Sequence, residues 1–263
     1  MNNNRKTEES LTSLNEELQA TVQRLASSNR ELRDFAHTVA HDLKAPLRGI
    51  RNLVDWMLED CKNKLDKQSK VQLGLIAQQA ERMSALIDGV LSYSEVGRVS
   101  VKVEKVDLYE VVKKVIAEIA PPENIVITVE SQLPVVECEE TRIIQVFQNL
   151  LNNAVKYMDK PQGQVRIGCV EENGFWKFSV SDNGPGIEEK YFEKIFKIFQ
   201  TLSPRDEVEA TGIGLSVVKK IIEMYGGRIW VESELNKGST FLFTFPKSHN
   251  LVKNDTQLLT SSP

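Results

Sequence analysis

The stretch DNGPGI at residues 182–187, followed at residues 211–227 by TGIGLSVVKKIIEMYGG, decides how the chain is read. DNGPGI closes a strand-like run, WKFSVSD (176–182), and sets two glycines and a proline around a tight turn. A carboxylate held there, that of Asp182, can accept a hydrogen bond from an exocyclic amine. In the second stretch Gly212 and Gly214 lead into a helix. Glycines at a helix start let backbone N–H groups approach phosphate oxygens, whose charge the helix N-terminus favours. Upstream, NLLNNAVKY (149–157) spaces Asn149, Asn153 and Lys156 by four and then three residues, near one helical face. Amide oxygens suit Mg²⁺, and a lysine suits phosphate.

Each pattern alone is commonplace. In this order, within one region of mixed strands and helices, they resemble the N, G1 and G2 boxes of the ATPase domain shared by histidine kinases, DNA gyrase, mismatch-repair ATPases and the ninety-kilodalton heat-shock chaperones. The resemblance covers residues 100–247 or so and implies ATP and Mg²⁺ as cofactors. It implies that Asp182 reads the adenine amine, that Asn153 holds Mg²⁺ with Asn149 assisting, and that Lys156 meets phosphate. Tyr157 and Ile187 would border the adenine, with Gly184, Gly186, Gly212, Gly214 and Leu215 completing the nucleotide-binding set. Between the boxes, Phe192, Phe196 and Phe199 resemble an F box, although ordinary core packing explains phenylalanines equally well. The polar remainder resembles a lid whose only arginine, Arg205, is the candidate γ-phosphate contact. Ala210 departs from the family, standing where the G2 pattern has its first glycine. An alanine forced to positive φ would cost about 1 kcal/mol, so weaker nucleotide affinity or a slower lid is expected.

The N-terminal part has a different period. Leu11, Leu14, Leu18, Leu25, Leu32, Phe35 and Val39 form a heptad-like seam with polar Thr21 and Ser28 in it, which reads as a two-helix coiled coil. The stripe continues through Leu43, Pro46, Ile50, Leu53 and Met57, predicting one helix from near residue 10 to about residue 60, bent at Pro46. After a polar break, Val71, Leu75, Gln78, Arg82, Leu86, Val90 and Tyr93 read as the return arm of a hairpin. Two such hairpins across a twofold axis make a four-helix bundle, hence a homodimer. His41 lies about 200° around the helix from the stripe and must point outward. An exposed neutral imidazole is a competent nucleophile, and Asp42 beside it can orient the ring or take its proton. HDLKAP (41–46) resembles the H box of the commonest histidine kinase class. His37, one turn earlier, could form a metal clamp with His41, but no third ligand is evident nearby.

The expected fold is therefore an all-α coiled coil and helical hairpin, dimeric as a four-helix bundle, followed by an α+β sandwich. Its parts are a coiled-coil linker (1–30), a dimerisation and phosphotransfer domain (31–97), a catalytic ATP-binding domain (98–247) and a disordered tail (248–263). In the second domain we expect strands at VSVKVEKV (99–106), NIVITVE (124–130), VRIGCVEE (165–172) and WKFSVSD (176–182). The last two are joined by the turn signal Asn173-Gly174. Helices are expected over 108–120, capped by Asp107, and over 139–158 and 213–225, with a closing hairpin over 228–245.

A net charge of −4 without a basic run gives no footprint for nucleic acid. No apolar run reaches the ~20 residues needed to span a bilayer, and the start has no signal-peptide core, so a cytoplasmic chain is expected. Cys61, Cys138 and Cys169, widely separated, read as packing residues. What the resemblance implies is an ATP-dependent kinase that phosphorylates His41 and passes the phosphoryl group to an aspartate on a response regulator receiver domain. An ATP-gated dimeric scaffold is the alternative, favoured only by Ala210. A clamp-type ATPase would leave HDLKAP unexplained.

Overall fold

The computed structural model describes residues 2–62, 64–97, 103–202 and 211–247. The chain divides into two compact units after Glu95. The disordered-tail expectation for 248–263 and part of the strand expected over 99–106 lie outside the described residues.

The first unit is a helical hairpin, α1 (Asn2–Asp60) and α2 (Lys67–Glu95). Helix α1 starts earlier than the seam alone suggested and runs unbroken through Pro46. It carries two neighbouring apolar stripes. Ala40, Leu47 and Val54, seven residues apart, are buried, as is Ala80 of α2. Val39, Leu43, Ile50, Leu53 and Met57 form the adjacent stripe and stay exposed in the single chain, as do Leu18 and Leu25, 61% and 66% exposed. On the far side of the buried stripe, Lys44 pairs with Asp88 and Arg51 Nη1 meets Glu81 Oε1 at 2.6 Å, tying α1 to α2. Asp66 starts α2 by accepting the Ser69 N–H at 2.7 Å.

In the second unit, β1 (Glu104–Asp107) leads into α3 (Leu108–Ile119). Asp107 caps that helix as its sequence position predicts, accepting the Tyr109 N–H at 2.9 Å. The helix ends at Ala120, which takes a left-handed φ of 45° before the two prolines. Then come β2 (Ile125–Val129), β3 (Val135–Cys138), α4 (Glu140–Lys156), β4 (Gly163–Glu172) and β5 (Phe175–Asp182). Helix α5 (Gly214–Met224) and the hairpin of β6 (Ile229–Glu234) and β7 (Gly238–Pro246) finish the unit. The sheet order is β2-β4-β5-β7-β6, parallel between β2 and β4 and antiparallel elsewhere, with β1 and β3 forming a separate two-stranded pair. Asn173 and Gly174 both take positive φ, which is what a two-residue hairpin turn needs.

Alternate residues of each strand turn to the helix layer. Val165 and Ile167 of β4, Phe178 and Val180 of β5, and Phe241, Phe243 and Phe245 of β7 are all buried. From α4, Phe147 meets this face edge-on, 6.2 Å from the Phe178 ring and 5.9 Å from Phe243, while those two rings stack at 4.8 Å. Phe147 has no exposed surface.

Truncating Phe147 leaves a cavity between layers that the stacked rings cannot close. Phe147→Ala should cost about 3–5 kcal/mol in urea unfolding, against about 1 kcal/mol for removing the cap with Asp107→Ala. Equal costs would show that the aromatic cluster does not hold the layers together.

Candidate functional site

Asp182 is the last residue of β5, and the period-two alternation puts it on the same face as Phe178 and Val180. It is therefore half-buried at the rim of the core, at the end of the strand and ahead of the tight turn. Its Oδ1 accepts the Gly184 N–H at 2.8 Å and the Ser239 N–H at 3.3 Å. Desolvation raises the carboxyl above its ordinary value, against the two backbone donors that lower it. Both donors use one oxygen, so Oδ2 keeps its capacity for an incoming donor.

The turn after Asp182 is held on both flanks. Asn183 Oδ1 accepts the Gln164 N–H at 2.7 Å and its amide donates to the Gln162 carbonyl at 3.1 Å, continuing the pairing with β4. On the other side the Asn236 N–H donates to the Pro185 carbonyl at 2.6 Å, and the Ile187 N–H to Ser233 Oγ at 2.8 Å. Gly186 takes φ +74°, and a Cβ there would strike the Glu234 backbone. A Cβ on Gly184 would come within 2.9 Å of Asp182 Oδ1 and 3.7 Å of the Tyr157 carbonyl. The C-terminal end of α4 thus abuts the DNG turn. Burial also raises the Tyr157 phenol above its ordinary value.

The other end of the site forms where α4 meets α5. A Cβ on Gly214 would collide with Asn149 Oδ1, so the first turn of α5 lies directly against Asn149. Asn149 is fixed by its own amide, which donates to the Gln145 carbonyl at 2.8 Å. Gly212 takes φ +68° and its carbonyl accepts the Phe199 N–H at 2.8 Å. Asn153 is half-buried and Lys156 exposed on the intervening turns of α4, and Leu215 is half-buried in the first turn of α5. From Asn149 to Tyr157 the helix rises about 12 Å. Along that length the site runs from the α5 N-terminus, which attracts anions, to a half-buried carboxylate that attracts a donor. The amide, lysine and carboxylate set suits a nucleotide and an oxygen-liganded cation.

Phe196 packs edge-on against Phe241 at 6.5 Å, whereas Phe199 is exposed at φ 65°. Arg205 and Ala210 lie outside the described residues. Asn183, Ser233 and Ser239 were not anticipated. Their partners are distant in the chain, and only the placing of serines at strand positions VES and GST hinted at them. Cys138 and Cys169 thiols are pushed up to about 12 by burial, which fits packing roles.

In the helical unit, His41 and Asp42 are 81% and 72% exposed, with His41 Nδ1 3.2 Å from Asp42 Oδ1. His37 is exposed one turn earlier. Among the described residues no group of three or more His, Cys, Asp or Glu side chains could hold a metal ion, so the His37–His41 clamp gains no third ligand. None of their helices is long and apolar enough to cross a membrane.

Two family profiles match the chain. Residues 31–98 match the His Kinase A phospho-acceptor domain, and residues 138–249 match the histidine kinase-, DNA gyrase B- and HSP90-like ATPase. The chain is 41% identical over 225 residues to cyanobacterial phytochrome B of Nostoc sp. strain PCC 7120, covering 84% of this chain and 30% of that protein. It is 33% identical over 253 residues to the adaptive-response sensory kinase SasA of Synechococcus sp. strain JA-3-3Ab, covering 91% of this chain and 67% of SasA. Among solved structures, full-length ShkA in complex with AMPPNP matches with a TM-score of 0.62 at 26% identity, over 82% of this chain and 46% of that one. Histidine kinase ThkA in complex with the response regulator TrrA matches with a TM-score of 0.55 at 25% identity, over 84% and 64%. With both domain types present in the expected order and a sensory kinase matched over most of its length, the chain belongs to the sensor histidine kinases.

Proposed function

We propose that the chain is an ATP-dependent protein-histidine kinase that phosphorylates His41 and passes the phosphoryl group to an aspartate of a response regulator receiver domain. The observation that carries the reading is the exposed His41–Asp42 contact, in a chain that also sets a half-buried carboxylate near the end of α4 and Asn149 against the start of α5. Relatives support it, since the ShkA structure contains AMPPNP and ThkA is seen with its response regulator.

In this reading Asp182 Oδ2 accepts the adenine amine while Tyr157 and Ile187 line the base. Asn153, assisted by Asn149, holds Mg²⁺, and Lys156 with the α5 N-terminus receives phosphate oxygens. Mg²⁺ supplies charge neutralisation on the phosphates. Asp42 accepts the His41 Nδ1–H, which leaves the Nε2 lone pair for attack. The Nε2–Pγ bond forms as the bond from Pγ to the bridging oxygen breaks. ADP takes that electron pair, and the Nδ1 proton leaves by way of Asp42. Arg205 is the proposed γ-phosphate contact of the lid. We further propose four working parts, 1–30, 31–97, 98–247 and 248–263, in a cytoplasmic homodimer.

The nucleotide assignment is tested with Asp182→Asn. The Asn carbonyl oxygen would still be claimed by the Gly184 and Ser239 N–H groups, so its amide nitrogen would face the adenine amine, donor against donor. ATP affinity by calorimetry should fall at least about a hundredfold. The fold should not suffer. Because the native pKa is raised, ionising Asp182 costs the folded state more than the unfolded one, so its stability contribution falls as pH rises through the acid range. Asp182→Asn should melt no lower than the native protein at pH 7, with any gain vanishing below about pH 4. Unchanged affinity would place the nucleotide elsewhere.

The dimer is tested at the exposed seam. Leu18→Lys with Leu25→Lys would bury charges in an apolar interface and should halve the mass seen by light scattering at micromolar concentration. An unchanged mass would refute the seam as the contact.

A further inference from the structure

Three segments meet at the hydroxyl of Ser233. In β6 and β7, Ser233 and Ser239 stand opposite each other, following Val231 and preceding Phe241 on the core-facing side. Ser239 is buried. Apolar β-branched residues would pack better at such paired positions, so two hydroxyls there call for a reason.

The bonding supplies one. A hydroxyl has a single proton and two lone pairs. Ser233 Oγ donates to the Gly238 carbonyl at 2.7 Å and accepts the Ile187 N–H at 2.8 Å. Its 3.1 Å contact with Ser239 Oγ must then run from Ser239 to Ser233, which saturates the oxygen. The segments tied in this way are the two walls of the site's carboxylate end. One carries Ile187; the other carries the Ser239 N–H that holds Asp182 Oδ1. Gly186, pressed against the Glu234 backbone, leaves the turn no room to settle closer to β6. The Asn236–Pro185 main-chain bond holds the turn two residues away from Ile187 but does not fix Ile187 itself.

We propose that Ser233 is a positioning residue that sets the spacing between the adenine-reading carboxylate and the Ile187 wall, and so sets nucleotide affinity and not the rate of transfer. The proposal rests on the ATP reading of the same site. Without the hydroxyl, the Ile187 N–H and Gly238 carbonyl lose their partner and the two walls separate. Binding then has to restore the spacing at its own expense.

Ser233→Ala should raise both the calorimetric Kd for ATP and the KM for ATP in self-phosphorylation about tenfold, with kcat at saturating ATP within about twofold of native. Ser233→Thr keeps the hydroxyl and should stay within about twofold in both. Unchanged Kd in Ser233→Ala, equal losses in the Ala and Thr variants, or a fall in kcat at constant KM would each overturn the proposal while leaving the nucleotide site standing. If Ser233→Ala does not fold, Ser239→Ala carries the test, because it removes the donor into Ser233 but keeps the N–H on Asp182. A rise in Kd of about threefold supports the proposal and no rise overturns it. Absence of ATP binding by the native chain would overturn the nucleotide reading itself.

Discussion

The contact of Phe147 with the stacked pair Phe178 and Phe243 fixes the rest of the second unit. Phe147 stands two residues before Asn149 on α4, and Phe178 stands four residues before Asp182 on β5. Once the rings lock, the rows of polar groups beyond them can no longer slide. Asn149 is presented to the start of α5, the end of α4 to the DNG turn, and the carboxylate to the gap between them. A close-packed core transmits position because it resists small shifts. The polar site is an extension of that core at its open edge.

That location has a thermodynamic consequence. Asp182 is placed where burial opposes its charge, and only two backbone N–H groups on one oxygen offset the loss of water. Among the described residues the other oxygen has no donor, which leaves it able to accept one. The hydroxyl pair of Ser233 and Ser239 sits beside it, 3.1 Å apart across β6 and β7, while Ser181 Oγ and Thr240 Oγ1 pair at 2.9 Å on the opposite face of the sheet. Polar groups that bond one another here keep the edge of the core ordered without filling it.

Elements whose cause is local were legible in the sequence. Asp107 before an apolar period of 3.6 gave the α3 cap, Asn173-Gly174 gave the β4–β5 turn, and the glycines before α5 marked its start within a residue. The heptad seam and its continuation gave α1, and a second amphipathic stripe gave the return arm, because helix faces repeat within a few residues. Elements whose cause is distant were not legible. Strand β3 is only Val135–Cys138, and it exists because β1 pairs with it from some thirty residues away. The half-burial of Asp182 follows from its register opposite Val165 and Ser239, which no local pattern around DNG specifies. Ser233 was missed for the same reason, since its partner Ile187 is 46 residues distant. The boxes themselves were recognised by resemblance, and their spatial convergence is what the fold adds.

The most direct measurement is the chemistry of the label on the chain itself. Incubated with Mg²⁺ and γ-labelled ATP, the native protein should acquire label that survives alkali and is released by mild acid, as a phosphorus–nitrogen bond requires. His41→Gln should bind ATP as well as the native chain yet acquire none. Label that persists in His41→Gln, that withstands acid, or that never appears on a native chain shown to bind ATP would contradict the assignment of His41 as the phosphoacceptor.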